Sequence, residues 1–137
     1  MNSSEFPDNC PKILVIDDEP AVRLSLTAYL EDMDYRVANC GSGSEALAMI
    51  RDFHFDIAIV DLRLPDVPGD LLISRMHEES PDTRFLIHTG SSSFTINSDL
   101  LSIGMAMSDV FLKPLADLAP LSNAIESLLR QIDANSV

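Results

Sequence analysis

Cysteine is scarce in this chain: Cys10 and Cys40 are the only two among 137 residues. Two cysteines are too few for a disulfide framework, and this pair lacks the close spacing of a metal site, so both read as bystanders. Basic residues are scarce as well. Nine Lys and Arg face 22 Asp and Glu, for a net charge of −13. A polyanion of this kind is repelled by nucleic acid and by anionic membranes, which are bound mainly through Lys and Arg. Neither is expected as a direct partner. No apolar run approaches the roughly 20 residues of a membrane span. The first residues, MNSSEFPDNCP, lack the basic start and apolar core of a secretory leader. The expectation is a soluble, cytoplasmic protein.

Apolar residues make up 46% of the chain, which suits one domain with a real core. Short apolar runs alternate with amphipathic segments. Strands are predicted at residues 12–16, 36–38, 57–60, 84–88 and 110–112. Of the helices predicted between and after them, the first puts Val22, Leu26, Tyr29, Leu30 and Met33 on one face. The second covers residues 44–51, after the turn Gly41-Ser42-Gly43. The third follows Pro68-Gly69 and carries Leu71, Leu72 and Met76. The fourth, near residues 96–103, lies in the polar, turn-rich stretch GSSSFTINSD. The last spaces Leu118, Leu121, Ile125, Leu128 and Ile132 by threes and fours, a stripe read as core. Strict β-α alternation predicts a parallel sheet with helices on both faces, in a single domain spanning 1–137. Its core is placed at about 12–132, between short flexible ends.

The stretch ILVIDDEP, residues 13–20, sets the functional problem. Its apolar half reads as a strand covered on both faces, yet it ends in three acids, Asp17, Asp18 and Glu19. An acidic helix start with Pro20 at the first position accounts for one or two of them. In a parallel sheet, however, the functional crevice lies at the carboxyl ends of the strands. Asp17 and Asp18, Asp61, Thr89 and Lys113 end the first, third, fourth and fifth strands. Topology therefore gathers three carboxylates, a hydroxyl and an ammonium at one edge. Magnesium takes oxygen ligands, so Asp18 and Asp61 fit as direct ligands and Asp17 as the acid orienting a coordinated water. Asp61 is the candidate nucleophile toward a phosphoryl donor, with Thr89 and Lys113 taking phosphoryl oxygens.

ILVIDDEP, DIAIVDLRLPDVPG, FLIHTG and VFLKPL, in this order over about residues 12–132, resemble the receiver domain of two-component response regulators, including the stand-alone chemotaxis-type regulators. The resemblance implies a flavodoxin-like, doubly wound sheet of order 2-1-3-4-5. It implies phosphotransfer to Asp61 from a sensor histidine kinase or phosphotransfer protein, with Mg2+ as cofactor. It also implies a backbone-carbonyl ligand at Arg63, loop-shaping roles for Pro65 and Gly69, and a small residue after the threonine, here Gly90. Such a domain is not an enzyme in the ordinary sense: it is a phosphoacceptor that catalyses its own phosphotransfer and slow autodephosphorylation. Phosphorylation would shift the face around the fourth helix, fifth strand and fifth helix, read by an unknown downstream protein. A monomer or weak dimer is expected, either stand-alone or part of a longer regulator.

This chain departs from the family in two places. Three residues before the lysine the family carries Tyr or Phe, and Val110 stands there. Phe111 is adjacent, but strand alternation points it the other way. Thr89 and Lys113 are also about two residues further apart than in the family, with the slack in IGMAMSD. Among other residues, His88 reads as a packed strand-end histidine, His54 and His77 as solvated, and Glu19 as an acid behind the metal ligands or a plain helix-start acid. The alternatives are a haloacid-dehalogenase-like phosphatase, a flavin or nucleotide binder, and a non-phosphorylated docking module. The phosphatase needs Asp-x-Asp where this chain has Asp17-Asp18-Glu19. The binder needs a Gly/Ser/Thr-rich loop where this chain has DDEPAV, which repels phosphate without a metal. The intact site speaks against a docking module alone.

Overall fold

The structure is a computed structural model that describes residues 10–135. Among the described residues, five strands alternate with five α-helices. The strands are β1 (Lys12–Ile16), β2 (Arg36–Cys40), β3 (Ile57–Val60), β4 (Arg84–Thr89) and β5 (Val110–Leu112); the helices are α1 (Pro20–Asp32), α2 (Gly43–Asp52), α3 (Gly69–Glu79), α4 (Ser98–Ser102) and α5 (Ala119–Asn135). All strand pairs are parallel, in the order β2-β1-β3-β4-β5. The predicted sheet, its order and its flanking helices are all present.

Period-two alternation divides the core into two layers. Leu14, Ile16, Ala58, Val60, Phe85 and Ile87 point toward α2, α3 and α4, where Ala46, Ile50, Leu72, Ile73, Met76 and Leu100 cover them. Ile13, Val15, Ile57, Ile59 and Leu86 point toward α1 and α5, against Leu26, Leu30, Leu121 and Ile125. β1 from Ile13 onward and all of β3 are buried, which accounts for their unbroken apolar runs. The stripe on α5 is core-facing: Leu121 and Ile125 are fully buried, and Leu118 and Leu128 pack against the same layer.

Several boundaries differ from those expected. β2 runs two residues past Ala38, because Asn39 and Cys40 continue the register against Val15 and Ile16 despite their polarity. β4 includes Thr89, paired with Leu112. α4 is only five residues long: Asn97 caps it by accepting the Leu100 amide at 2.9 Å, so Ile96 lies before the helix. The slack before β5 is taken up by a 3₁₀ turn, Met107–Asp109. α5 continues to Asn135, beyond the expected end of order at 132. The flexible-end expectation for residues 1–9, 136 and 137 lies outside the described residues. Among the described residues, no helix is long and apolar enough to cross a membrane.

Candidate functional site

The strand order reverses direction between β1 and β3, and the site is built where those two strands end. The Asp17 amide donates to the Cys40 carbonyl at 3.1 Å and the Asp61 amide to the Ile16 carbonyl at 2.9 Å, so both acids leave the sheet on fixed backbone. They are 3% and 4% exposed. Two buried carboxylates this close need a cation, and the chain supplies Lys113 at the end of β5. Its Nζ lies 2.8 Å from Asp17 Oδ2, 3.1 Å from Asp61 Oδ2 and 3.1 Å from Glu19 Oε1. The Lys113 amide donates to the Thr89 carbonyl at 2.7 Å, which fixes where the side chain begins.

Burial opposes the charge on Lys113, but the hydrogen bonds it donates to three carboxylates outweigh it and raise its pKa above the usual lysine value. Burial raises the Asp61 carboxyl pKa. The Arg63 amide at 3.2 Å and Lys113 pull it down, and Asp17 pushes it up. The balance lies above the usual carboxylate value, with burial its largest cause.

Of the residues singled out in the sequence, Asp17, Asp61 and Lys113 come together directly. Thr89 is fully buried at the end of β4, and its Oγ1 accepts the Ser91 amide at 3.2 Å. Arg63 and Pro65 are exposed in the loop after β3. Gly69 closes that loop: a Cβ there would lie 2.4 Å from the Asp61 carbonyl oxygen, so only glycine permits the approach. At Gly90 a Cβ would meet nothing within 4 Å. Asp18 is exposed and stands outside the carboxylate cluster, whereas Glu19 joins it: ligand atoms of Asp17, Glu19 and Asp61 all lie within 4.8 Å of one another. Glu19 is the residue before α1, but its side chain makes no cap hydrogen bond. Its carboxylate goes to Lys113, so a helix-start role does not account for it. The donor set is all oxygen, which suits a hard cation such as magnesium, and the Lys113 ammonium already offsets part of its negative charge.

Sequence reasoning passed over Arg23 and Asp66. Arg23 reaches back one turn from α1, donating to the Asp17 carbonyl at 3.0 Å and to Asn39 Oδ1 at 3.0 Å. Asp66, in the loop after β3, accepts two amides at the start of α2. No local pattern marks either contact.

Val110 packs with the α3/α4 layer and Phe111 with the α1/α5 layer, so the alternation argument for Phe111 holds. Cys10 and Cys40 are free, and burial raises the Cys40 thiol pKa to about 11, which leaves it unreactive. His54 is exposed and 3.4 Å from Asp56, and His77 is half-buried on α3. His88 is 6% exposed, faces the α1/α5 side and, among the described residues, has no hydrogen-bond partner at either ring nitrogen. Burial lowers its pKa, as does Lys113, while Asp17 and Glu19 oppose them. The unfolded chain therefore takes up a proton near pH 6.5 that the folded protein refuses, and stability falls as pH drops below that value. His88→Leu is expected to raise stability at pH 7 by about 1–2 kcal/mol, by removing two unsatisfied groups. It should also flatten the acid-side slope. Urea melts of both proteins at neutral and mildly acidic pH check this; a less stable variant with an unchanged slope would contradict it.

The sequence matches the family model for the response regulator receiver domain over residues 13–126. It is 32% identical over 128 residues to the alginate biosynthesis transcriptional regulatory protein AlgB of Pseudomonas putida, covering 93% of this chain and 28% of that protein. The chain thus spans under a third of that relative's length. Among solved structures it resembles a CheY-like receiver domain protein from Methanospirillum hungatei, with 28% identity, a TM-score of 0.72 and coverage of 93% and 98%. A response regulator protein from Burkholderia pseudomallei, solved with a phosphorylated aspartic acid, calcium ion and citrate, gives 28% identity, a TM-score of 0.74 and coverage of 93% and 73%.

Proposed function

As this chain belongs to the response regulator receiver family, we propose that it is a phosphorylation-activated switch whose acceptor is Asp61. The observation that carries the reading is the buried Asp61 carboxylate at the end of β3, facing Asp17 and bonded by Lys113. The phosphorylated aspartic acid in the Burkholderia pseudomallei relative supports an acyl phosphate as the product.

An Asp61 carboxylate oxygen attacks the phosphorus of a phosphohistidine on a sensor histidine kinase or phosphotransfer protein. A P–O bond forms as the P–N bond breaks, and the imidazole departs with the electron pair. Lys113 is placed to turn from Asp17 and Glu19 toward a phosphoryl oxygen, and the Thr89 hydroxyl to take another. Asp18, Asp61 and the Arg63 carbonyl would hold magnesium, with Asp17 orienting a coordinated water. When bound, magnesium would offset the negative charge between carboxylate and phosphoryl oxygens. Among the described residues Asp18 has no partner to give up, whereas Glu19 is tied to Lys113. Asp18→Ala is therefore expected to weaken magnesium binding on the order of tenfold or more, and Glu19→Ala by less. A calorimetric titration giving the reverse order would reassign the ligand to Glu19.

The phosphorylated state is read by a partner protein in the cytoplasm at the face of α4, β5 and α5. Leu101, Met107 and Leu112 are exposed at 58%, 50% and 46%, and supply apolar area there. With Val110 in place of an aromatic, the shift between states runs through the segment after Thr89. The test is NMR of the protein with magnesium, with and without beryllofluoride. Saturable binding lost in Asp61→Asn, with the largest shifts in residues 90–107, is expected. No binding would overturn the acceptor, and shifts confined to the Phe111 ring would overturn the route.

A further inference from the structure

The segment between Asp61 and α3 is a closed loop. The Gly69 amide donates to the Leu62 carbonyl at 2.9 Å, and Arg63 bridges antiparallel to Pro68. These contacts close the neck and leave the tip, residues 64–67, to be held from outside. Val67 packs against the α3/α4 core layer so closely that a Cβ on Gly43 would lie 2.2 Å from its Cγ1. The polar tether is Asp66. Its Oδ1 accepts the Gly43 amide at 2.8 Å and its Oδ2 the Ser44 amide at 2.9 Å.

Both amides belong to the first turn of α2, where backbone donors have no partner inside the helix and the dipole favours an anion. The same two amides hold the Asp66 carboxyl below the usual carboxylate range, so the tether is charged at neutral pH. The residue before α3, Pro68, makes no side-chain cap. The tip of the loop is thus fastened by its side chain to α2, whose first residue lies 23 positions before Asp66.

We infer that Asp66 is a positioning residue which, by strapping the loop that carries Asp61 and Arg63 to the start of α2, sets the affinity of the acidic site for magnesium. The inference rests on the function proposed above. Asp66 touches neither the metal nor the phosphoryl group. It holds the Arg63 backbone where its carbonyl is needed, so that binding does not have to order the loop first.

The test is calorimetric titration of magnesium into the parent, Asp66→Ala, Asp66→Asn and Asp61→Asn, with amide hydrogen exchange at Gly43 and Ser44. Asp66→Ala is expected to weaken binding on the order of tenfold and to speed exchange at both amides. Asp66→Asn loses the same charge but keeps one acceptor, so its affinity should recover part of the way. Equal losses in the two variants would show that Asp66 acts only through its charge, and faster exchange with unchanged affinity would show a tether without influence on the site. Either overturns the inference. Should Asp66→Ala fail to fold, Asp66→Glu replaces it: with its carboxylate displaced from the two amides, that variant should bind magnesium at the acidic site less well than Asp66→Asn does, and the opposite order overturns the inference. A parent that binds no magnesium overturns the proposed function as well. A parent that binds, and loses binding in Asp61→Asn, leaves the Asp66 variants to decide this point alone.

Discussion

Lys113→Met is expected to destabilise the protein by about 3–5 kcal/mol in EDTA, the usual effect of removing one partner from a buried ion pair. The side chain is only 13% exposed, and its ammonium is bonded to three carboxylates, two of which are themselves buried. Methionine keeps the apolar stem and removes the charge. Asp17 and Asp61 then face each other without a counter-ion, where two like charges about 4 Å apart repel by roughly 4 kcal/mol at an intermediate dielectric. The variant has two ways to relieve this. One is to protonate a carboxylate, which raises the folded-state pKa above the unfolded one. The destabilisation should accordingly shrink as pH falls through the folded-state value, since the folded variant then holds a proton that the unfolded chain does not. The other is to bind a cation: millimolar magnesium should recover more stability in Lys113→Met than it adds to the parent. Thermal melts with EDTA and with magnesium at two pH values check both. A loss under about 1 kcal/mol, as for a surface ion pair, would mean that Lys113 does not neutralise the site.

The parallel sheet is readable in the sequence because β1 and β3 are buried on both faces, which demands unbroken apolar runs. The site is readable for a related reason. Once the runs are placed, topology carries Asp17, Asp61 and Lys113 to one edge whatever lies between them. The turns that leave each strand are harder to read. Three successive acids come after Ile16, and the carboxylate they share does not say which of them turns inward. The turn into α1 sends Asp17 and Glu19 toward Lys113 and leaves Asp18 exposed. Asn39 and Cys40 extend β2 through backbone pairing, which has no side-chain signature. α4 is short because its polar stretch stops at a cap, Asn97, that a hydrophobic count ignores. Asp66 meets its partners across the fold, and Arg23 bridges the end of β1 to Asn39 on β2, with no periodicity to announce either.

Asp61→Asn is expected to abolish phosphoryl transfer. An amide at that position keeps the shape of the side chain and removes the nucleophilic oxygen anion, so no P–O bond forms. The other acids offer no substitute. Asp17 is bonded to Lys113 and to the Glu19 amide, Glu19 lies at the start of a helix, and Asp18 stands outside the cluster. The loss should therefore be complete, leaving no slow residual reaction, and it should come without loss of fold. Acetyl phosphate with magnesium serves as donor, since it needs no partner kinase. After incubation, the acyl phosphate is located by peptide mass spectrometry following hydride reduction. Modification of the parent at Asp61 alone, and of Asp61→Asn nowhere, is the predicted result. A phosphoryl group on Asp17, Asp18 or Glu19, or an equal yield on Asp61→Asn, would contradict the assignment on which the rest is built.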